Sequence, residues 1–413
     1  MVWLAAFVLL GIAELWWAVG AHSFHDLRVY QGALRFWIDG GDLYKYVMPP
    51  ANRYGFTYPP LAAILLAPLS LLATRAAAVG TIVATVGTTV IVVGLLTTRV
   101  PLPISLRRYQ IVGIATLATL GLFATRMTLA EGQINMYVLA LVLVDLLALR
   151  GGRWYGVGVG VAAAIKLTPA VFVVYLFLAG QRRAAATACA TFAACGLLGN
   201  VFAPYESIEF WTSVLWQTDR VGDAGSASNE SVRGVLARAM TGGVTWWWLA
   251  AVGLLAIVWW RRVRRATAQG DDVGGLAVTG VFACLVSPIT WIHHQVFLIP
   301  ALAVLTGWAL EPRPTDVVVN HRPYSSGVRR AVATLVCVVL VIQVNEIAAT
   351  EDRLLGLIVG NAYVWTALGL FLLLPMRERN HRSVGTSITC ATTTRPSHAG
   401  RSDTTSTSFT APV

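Results

Sequence analysis

The sequence predicts an all-α polytopic membrane protein. Of its 413 residues, 56% are hydrophobic and only 12% are charged, whereas soluble domains carry about 25% charged residues. Apolar runs of about 20 residues recur along the whole chain, and this length crosses roughly 30 Å of hydrocarbon. Short clusters of arginine separate these runs, as is typical of the cytoplasmic ends of membrane helices. These observations together predict roughly 11–13 transmembrane helices.

The spans can be placed in order along the chain. The first run, 2–21, has no basic flank before it, so we expect an uncleaved span, with a cleaved signal peptide as the alternative. The next spans are expected at 76–97, 109–127, 131–149, 152–166, 168–180, 184–203, 244–260, 272–287, 295–310, 328–349 and 355–375. The two short neighbours 152–166 and 168–180 can also form one kinked helix.

Residues 58–73 are apolar but short, and Pro59, Pro60 and Pro68 interrupt them. A full crossing there would place the loop around Asp26 and the later polar loops on opposite faces of the membrane. A segment that enters and returns instead places every arginine cluster in the cytoplasm. Broken backbone is tolerated at membrane depth when protein or a cavity covers it. We therefore predict a re-entrant segment, with a full crossing as the alternative.

This topology gathers the unusual polar residues on the extracytoplasmic face of the plasma membrane. They lie in a first external loop at 22–57, a long external loop at 204–243, and three short stretches at 130–135, 166–169 and 287–295. We expect residues 1–375 to form one membrane-embedded domain with a single external site. Residues 376–413 are rich in Ser, Thr and Arg, and we expect them to form a disordered cytoplasmic tail.

Composition and spacing argue against several functions. The net charge of +11 does not indicate nucleic-acid binding, because the basic residues cluster at the ends of apolar runs. The five cysteines form no CxxC pair, the external loops contain no DxD motif, and the histidines lack the i, i+4 spacing of a zinc helix. The sequence therefore predicts neither a metal nor another cofactor, and it does not identify a protein partner.

Asp26 is the first candidate for chemistry. It follows the first span and begins DLRVYQGALRFWIDG, whose apolar positions suit an amphipathic helix lying along the membrane interface. An acid at this place is either a catalytic carboxylate or a helix-start residue favoured by the dipole. Tyr30 lies on the same helix, and Tyr58 belongs to the stretch GFTYPP. Such aromatic side chains suit either a sugar pocket or a membrane interface.

The other candidates are polar residues at the ends of apolar runs. Gln133 and Asn135 can cap a helix or present amides to sugar hydroxyls. Lys166 interrupts an apolar run, where a cation indicates a site unless it snorkels to the interface. Asn229 and Arg233 lie in NESVRGVLAR; the arginine suits a phosphate or a solvated face. His293 and His294 are adjacent, which makes a poor metal pair, but either can donate a hydrogen bond to a phosphate.

Six stretches in this order resemble a known family. They are DLRVYQGALRFWIDGGDLY, FTYPPLAAILLAPLSLL, GQINMYVLALVLVDLLAL, GVAAAIKLTPAVFVVYLFL, NESVRGVLAR and SPITWIHHQVFLIPAL. The chain resembles the GT-C-type, polyprenol-phosphate-mannose-dependent α-1,2-mannosyltransferases, glycosyltransferase family 87 (DUF2029-like), over about residues 24 to 310. It departs from the family's usual pattern at Glu230, where glutamine is common, and at Gln295, where an aromatic is common.

The resemblance implies a GT-C fold and transfer of mannose from polyprenyl-phosphate mannose to the 2-hydroxyl of a mannose. The acceptor would be an envelope glycolipid of the phosphatidylinositol mannoside or lipomannan type, and membrane lipids would surround the enzyme. The anomeric carbon would invert, with Asp26 as the general base. Lys166, Arg233, His293 and His294 would contact the donor phosphate. The remaining predicted substrate-binding residues are Tyr30, Tyr58, Gln133, Asn135 and Asn229.

Two alternatives accompany this interpretation. The first is a transferase of the same architecture that uses another polyprenyl-phosphate sugar, such as arabinofuranose, because hydrogen bonds in the pocket decide the sugar. The second is a transporter or flippase for a glycolipid. A transporter predicts internal repeats with paired broken helices, and the two halves of this sequence show no convincing repeat.

Overall fold

The computed structural model describes residues 24–49, 54–100, 102, 104–311, 325–342 and 353–376. These residues form helices joined by turns, with no strand among them. The predicted all-α membrane fold is confirmed. The predicted first span 2–21, the end of the predicted span 328–349 and the predicted tail beyond Met376 lie outside the described residues.

The helices follow one another closely along the chain. In order they are α1 (His25–Ile38), α2 (Pro60–Ser70), α3 (Thr74–Arg99), α4 (Arg108–Leu120), α5 (Phe123–Glu131), α6 (Asn135–Leu143), α7 (Val157–Ile165), α8 (Val171–Leu178), α9 (Arg182–Phe202), α10 (Pro204–Thr212), α11 (Val232–Ala239), α12 (Val244–Gln269), α13 (Asp272–Val286), α14 (Ile299–Leu310), α15 (Ser326–Val341), α16 (Arg353–Val359) and α17 (Ala362–Leu373). Short turns of other helix types add to this set. They are the π-helical turn Val144–Ala148 and the 3₁₀ turns Thr168–Ala170, Val214–Trp216, Thr218–Arg220 and Ile292–Leu298.

Within the described residues, 4 helices are long and apolar enough to cross a membrane. They are α3, α9, α12 and the continuous run Ile292–Leu310. The pair α4 and α5 makes a further span that is bent by 72° at its break. Five of the other apolar runs among the described residues form helices of 10–17 residues, such as α2 and α13. Many of the predicted spans are therefore short or broken helices. Predicted site residues such as Gln133 and Lys166 lie where these helices are interrupted.

Helix α2 does not lead the chain away from α1. Pro60 occupies its first turn, where a missing N–H costs nothing, and Pro68 lies in its last turn. Before α2, the hydroxyl of Tyr58 lies 2.9 Å from that of Tyr30 in α1. In the last turn of α2, the carbonyl of Leu69 accepts a hydrogen bond of 2.8 Å from the side-chain amide of Gln31 in α1. Helix α2 therefore packs along α1, and the re-entrant course of this segment stays a prediction.

The break between α7 and the following 3₁₀ turn is centred on Lys166. Its backbone is extended, with φ −148° and ψ 128°. Pro169 follows in the next turn and lacks the N–H that would continue the helix. The stretch 152–180 thus forms two separate helices rather than one kinked helix. The break turns the side chain of Lys166, which is 8% exposed, into the protein interior.

Gly132 sets the distance between α1 and the turn that joins α5 to α6. Its φ is +67°, a left-handed conformation that glycine adopts without strain. A Cβ added there would lie only 2.8 Å from the Cβ of Leu27 in α1. The absence of a side chain at this position therefore allows the turn to pack directly on α1 and brings Gln133 beside Asp26.

Candidate active site

Asp26 lies in the first turn of α1 and is held from two sides. The Nδ1 atom of His25 lies 3.2 Å from its Oδ1 atom. The side-chain amide of Gln133 donates a short hydrogen bond to its Oδ2 atom. The side chain of Asp26 keeps 24% of its surface exposed. A substrate can therefore reach the carboxylate, which is fixed in orientation.

The surroundings keep Asp26 ionised. Burial raises the pKa of Asp26, but the hydrogen bond from His25, the electrostatic influence of His293 and the hydrogen bond from Gln133 outweigh it, so the pKa lies below the usual value of an aspartic acid. The same hydrogen bond to Asp26 raises the pKa of His25, against the effect of its own partial burial. At neutral pH the carboxylate is therefore in the charged form that accepts a proton.

A second acid, Glu131, lies beside this pair. One ligand atom each from His25, Asp26 and Glu131 can be chosen so that all three lie within 4.8 Å of one another. This is the one group of described residues with the composition to hold a metal ion. Sequence reasoning missed His25 and Glu131. Only the packing of α1 on the α5–α6 turn brings them together with Asp26.

Two side-chain amides connect Asp26 to a buried cation. Gln133 donates to Asp26, and its own Oε1 atom lies 3.4 Å from the Nδ2 atom of Asn135. The Oδ1 atom of Asn135 accepts a hydrogen bond of 2.6 Å from the Nζ atom of Lys166. Sequence reasoning predicted all four residues as site residues, and the structure brings them together. We call this set, Asp26, Gln133, Asn135 and Lys166, the polar chain.

Tyrosine side chains cover the polar chain. The Tyr58 hydroxyl donates to Oε1 of Gln133 at 3.0 Å. The ring of Tyr58 also lies beside Lys166, whose Nζ atom is 5.1 Å from the ring centroid. Tyr30 reaches the same place through its hydroxyl contact with Tyr58. Both rings are buried against Phe56. The two tyrosines predicted for the sugar pocket thus belong to the network.

The two histidines take different positions. The backbone carbonyl of His293 accepts a hydrogen bond of 3.1 Å from Asn135, which ties this turn to the polar chain. The Nε2 atom of His293 is buried, and no described residue supplies it with a hydrogen-bond partner. The Nδ1 atom of His294 accepts from the backbone N–H of Trp291 at 3.2 Å. A neutral His294 ring therefore carries its proton on Nε2.

Asn229 and Arg233 contact other groups. Asn229 donates to the carbonyl of Pro288 at 3.2 Å and accepts from the backbone N–H of Thr290 at 3.0 Å. Arg233 donates to the Thr218 hydroxyl at 3.2 Å and lies over the ring of Trp248. Asn229 thus fastens the long loop to the segment that leads into the two histidines. The substrate-binding roles of both residues stay predictions.

The arrangement combines three chemical capacities. An ionised carboxylate can accept a proton, amide and phenol groups can bind hydroxyls, and a cation can bind an anionic group. All three occur along the polar chain. This combination suits the transfer of a polar group away from a phosphate, since one end can deprotonate a nucleophile and the other can stabilise a leaving anion.

Comparison with known proteins agrees with this chemistry. The model of glycosyltransferase family 87 matches residues 56–288. A polyprenol-phosphate-mannose-dependent α-(1-2)-phosphatidylinositol mannoside mannosyltransferase of Mycobacterium tuberculosis is 35% identical over 75% of this chain and 76% of its own length. Its counterpart in Mycolicibacterium smegmatis is 30% identical over 87% of this chain and 85% of its own length. A pentamannoside mannosyltransferase of the latter organism is 34% identical over 68% of each chain.

Among solved structures, ArnT from Cupriavidus metallidurans bound to undecaprenyl phosphate is 17% identical. It aligns with a TM-score of 0.40 over 90% of this chain and 76% of that chain. The residues matched by the family model span more than half of this sequence. The relative with 35% sequence identity aligns with 75% of it. The chain therefore belongs to glycosyltransferase family 87 and is a glycosyltransferase.

Proposed function

We propose that this enzyme transfers mannose from polyprenyl-phosphate mannose to the 2-hydroxyl of a mannose on a glycolipid of the phosphatidylinositol mannoside or lipomannan type. The observation that carries the proposal is the polar chain, in which an accessible, ionised Asp26 is linked to the buried cation of Lys166. Relatives with 30–35% identity that carry out this kind of transfer support the choice of sugar and acceptor.

Asp26 acts as the general base at the acceptor. The acceptor 2-hydroxyl attacks the anomeric carbon of the donor and gives its proton to a carboxylate oxygen of Asp26. The bond between the anomeric carbon and the phosphate oxygen breaks in the same step, and both its electrons leave with the phosphate. Attack from the side opposite to the leaving group inverts the anomeric carbon, so a β-linked donor gives an α-linked product.

Lys166 and the two histidines act at the leaving group. The polyprenyl phosphate gains negative charge as the sugar departs, and preorganised donors near that charge lower the barrier. Lys166 is the buried cation of the polar chain. The Nε2 atom of His293 has a free hydrogen-bonding position among the described residues, and Nε2 of His294 carries a proton when the ring is neutral. Arg233 is assigned to the same phosphate, as the sequence predicts.

The amide and phenol groups bind sugar hydroxyls between these two ends. Gln133, Asn135, Tyr30 and Tyr58 share one network of hydrogen bonds and can exchange internal partners for hydroxyls of the mannose ring. Such groups reject sugars that leave them unpaired, because an unsatisfied buried polar group costs about 1–3 kcal/mol. We place this pocket on the extracytoplasmic face of the plasma membrane.

The proposal includes a reaction without a metal or another cofactor. A metal ion bound by His25, Asp26 and Glu131 would take one oxygen of the Asp26 carboxylate and lower the basicity of the other. A bound metal would therefore compete with the proton of the acceptor hydroxyl for Asp26. Activity should survive exhaustive treatment with EDTA, and a loss that added Mg²⁺ or Mn²⁺ restores would contradict this part of the proposal.

The overall test is a transfer assay with the purified enzyme in detergent or vesicles. Radiolabelled polyprenyl-phosphate mannose and a phosphatidylinositol mannoside are supplied, and the linkage in the product is determined after permethylation. We expect a new 1,2-linked, α-configured mannose. Transfer only from a polyprenyl-phosphate arabinose, or movement of the glycolipid across vesicles without a new glycosidic bond, would contradict the proposal.

A further inference from the structure

A polar cavity lies where the end of α3 meets the beginning of α4. Its volume is about 270 Å³, close to the lower end of the range for small-molecule pockets, about 300–1,000 Å³. The residues that line it are Thr97, Thr98, Arg99, Val100, Leu102, Arg108 and Ile111. Two of these side chains are cations and none is an acid. The cavity therefore suits an anionic group.

The two arginines reach the cavity from different helices. Arg99 is the last residue of α3, and Arg108 is the first residue of α4. One N–H group of Arg99 donates to the carbonyl of Leu147, which holds the guanidinium in place and leaves its other N–H groups for a ligand. Among the described residues, none forms a hydrogen bond or an ion pair with the Arg108 side chain. Because guanidinium groups bind phosphate oxygens in pairs, this arrangement suits a phosphate.

Neighbouring residues do not neutralise both arginines. Asp272 interacts electrostatically with Arg99, but its carboxylate forms an ion pair of 2.7 Å with Arg150. The hydroxyls of Thr97 and Thr98 donate to carbonyls of their own helix, at 3.1 Å and 2.7 Å. The arginines are therefore the groups that would bind an anion.

The cavity lies at the opposite end of α3 from Asp26. The first turn of α3 is beside α1, where Ala77 and Ala78 pack against Leu27. Helix α3 has 26 residues, so it is roughly 39 Å long at 1.5 Å per residue. Because α3 is long and apolar enough to cross a membrane, the cavity lies in the leaflet opposite the active site. A ligand bound there is therefore neither the donor nor the acceptor of the transfer reaction.

The rim of the cavity suits the membrane interface. Leu106 and Tyr109, on either side of Arg108 in the sequence, are 40% and 66% exposed. Ile104, in the same connection between α3 and α4, is 39% exposed. Tyrosine side chains concentrate at the level of the lipid headgroups. A ligand with acyl chains would cover these apolar surfaces, whereas a soluble phosphate would gain nothing from them.

We infer that this cavity binds the phosphodiester of an anionic phospholipid in the leaflet opposite the active site. The two guanidinium groups bind the phosphate oxygens, and the glycerol and acyl chains lie along the exposed apolar side chains of the rim. Basic pockets between membrane helices bind anionic headgroups on the cytoplasmic side, where the predicted topology places this cavity. The inference does not depend on the proposed sugar transfer.

The test measures lipid binding by the purified protein in detergent. A short-chain phosphatidylglycerol is titrated, and its binding is followed by the rise in Tm. We expect the wild type to bind this lipid and Arg108→Gln to raise the Kd about tenfold, the effect of losing one hydrogen bond to a charged group. The matched control is Arg183→Gln, which removes an exposed arginine in the first turn of α9, outside the cavity. The control should bind the lipid as the wild type does.

Two further ligands identify the source of the phosphate. Short-chain phosphatidylcholine carries the same phosphodiester beside a cation, and glycerol phosphate carries a phosphate without acyl chains. We expect neither to raise the Tm at concentrations at which phosphatidylglycerol does. Equal binding of phosphatidylcholine would show that the cavity does not recognise anionic lipids. Equal binding of glycerol phosphate would overturn the lipid assignment in favour of a soluble phosphate.

The two variants also distinguish the cavity from the rest of the surface. Equal weakening by Arg108→Gln and Arg183→Gln would show that the basic surface attracts anionic lipids without a specific site. A Kd that neither variant changes would show that the lipid binds elsewhere. Both results would overturn the inference.

A second measurement needs only the wild-type protein. It is irradiated with a phosphatidylglycerol that carries a diazirine on its headgroup. Crosslinks should fall in the last turn of α3 and the first turn of α4, and an excess of unlabelled phosphatidylglycerol should suppress them. Crosslinks confined to other helices would refute the placement even where Arg108→Gln does not fold.

Discussion

At the scale of single residues, the site depends on how Asp26 is held. Its carboxylate has a hydrogen bond from His25 on one oxygen and from Gln133 on the other. Neither contact closes off the carboxylate, which is about a quarter exposed. The general-base role proposed for Asp26 needs a carboxylate that is both oriented and accessible. The two contacts orient it and leave part of its surface exposed.

Asp26→Asn should abolish most of the activity and leave the fold intact. The amide is isosteric with the carboxylate but cannot take a proton, and general-base catalysis contributes about 10²–10⁴-fold. The measurement is kcat for mannose transfer, with thermal unfolding in detergent as a check on folding. Asp39→Asn, at the exposed end of the same helix, is the matched control. Transfer by Asp26→Asn at the wild-type rate would remove Asp26 from the mechanism.

His25→Ala should move the acid limb of the pH–activity profile to higher pH. In the wild type, Asp26 has a lowered pKa, so activity that needs its ionised form is lost only as pH falls through that low value. Removing His25 removes a hydrogen bond that favours the carboxylate, so protonation occurs at higher pH. The profile of kcat/KM between pH 4 and 8 measures the shift. An unmoved acid limb would show that His25 does not tune the base.

The sequence predicted every member of the polar chain but not all of its neighbours. Asp26, Gln133, Asn135 and Lys166 were found because each is a polar residue within or next to an apolar run, and a membrane protein has few such residues. His25 and Glu131 carry no such signal. Their importance comes from the contact of α1 with the α5–α6 turn, a long-range packing that periodicity does not reveal.

At the scale of elements, the contact between α1 and the α5–α6 turn depends on Gly132. Gly132→Ala should lower both stability and activity. The left-handed φ alone costs an alanine roughly 1–2 kcal/mol, and the new Cβ would also press on Leu27. Gly40→Ala is the control, since Gly40 has φ +88° with no atom within 4 Å of its Cβ position. Thermal unfolding and transfer rate should fall further for Gly132→Ala, and equal losses would show that the close packing contributes nothing.

We call the 3₁₀ turn Ile292–Leu298 the histidine turn because it contains His293 and His294. A backbone hydrogen bond at the buried residue Glu230 connects the long loop to the segment just before this turn. The backbone N–H of Glu230 donates to the carbonyl of Thr290 at 2.7 Å, and its side chain is 1% exposed. Burial raises the pKa of Glu230 to about 8, although nearby Arg238 opposes the shift. The folded state therefore binds one more proton than the unfolded chain from about pH 4.3 up to that value, so the contribution of Glu230 to stability falls as pH rises across this range.

Glu230→Gln should remove this dependence on pH. Glutamine has the shape of the protonated side chain and does not ionise. The gain in thermal stability of the variant over the wild type should therefore be larger at pH 8 than at pH 5. Comparing the two proteins at each pH cancels the titration of all other groups. A difference in Tm that stays constant between the two pH values would contradict the raised pKa.

The sequence predicted the order of the helices better than their lengths. Apolar runs show where helices lie. The point at which a helix ends depends on local hydrogen bonds that a hydropathy pattern does not show. At the end of α6, Asp145 accepts hydrogen bonds of 2.8 Å from the backbone N–H groups of Gly156 and Val159. The chain forms a π-helical turn there, which the pattern of apolar residues did not predict.

At the scale of the whole molecule, the proposed topology can be tested by chemical labelling. Lys45 is exposed in the first external loop, and Arg264 is exposed on α12 within the predicted cytoplasmic cluster. Lys45→Cys should react with a membrane-impermeant maleimide in intact cells. Arg264→Cys should react only after the membrane is permeabilised. The wild type measures the background from its own cysteines, and the reverse pattern would place the site on the cytoplasmic face.

The polar chain consists of residues at positions 26, 133, 135 and 166 and is tied to the backbone of position 293. The proposed reaction centre is therefore incomplete in any chain that stops before the two histidines, however many of its helices have already inserted. We therefore expect the measured transfer rate to come only from chains that include the histidine turn. A proteolytic fragment that ends before this turn should be inactive.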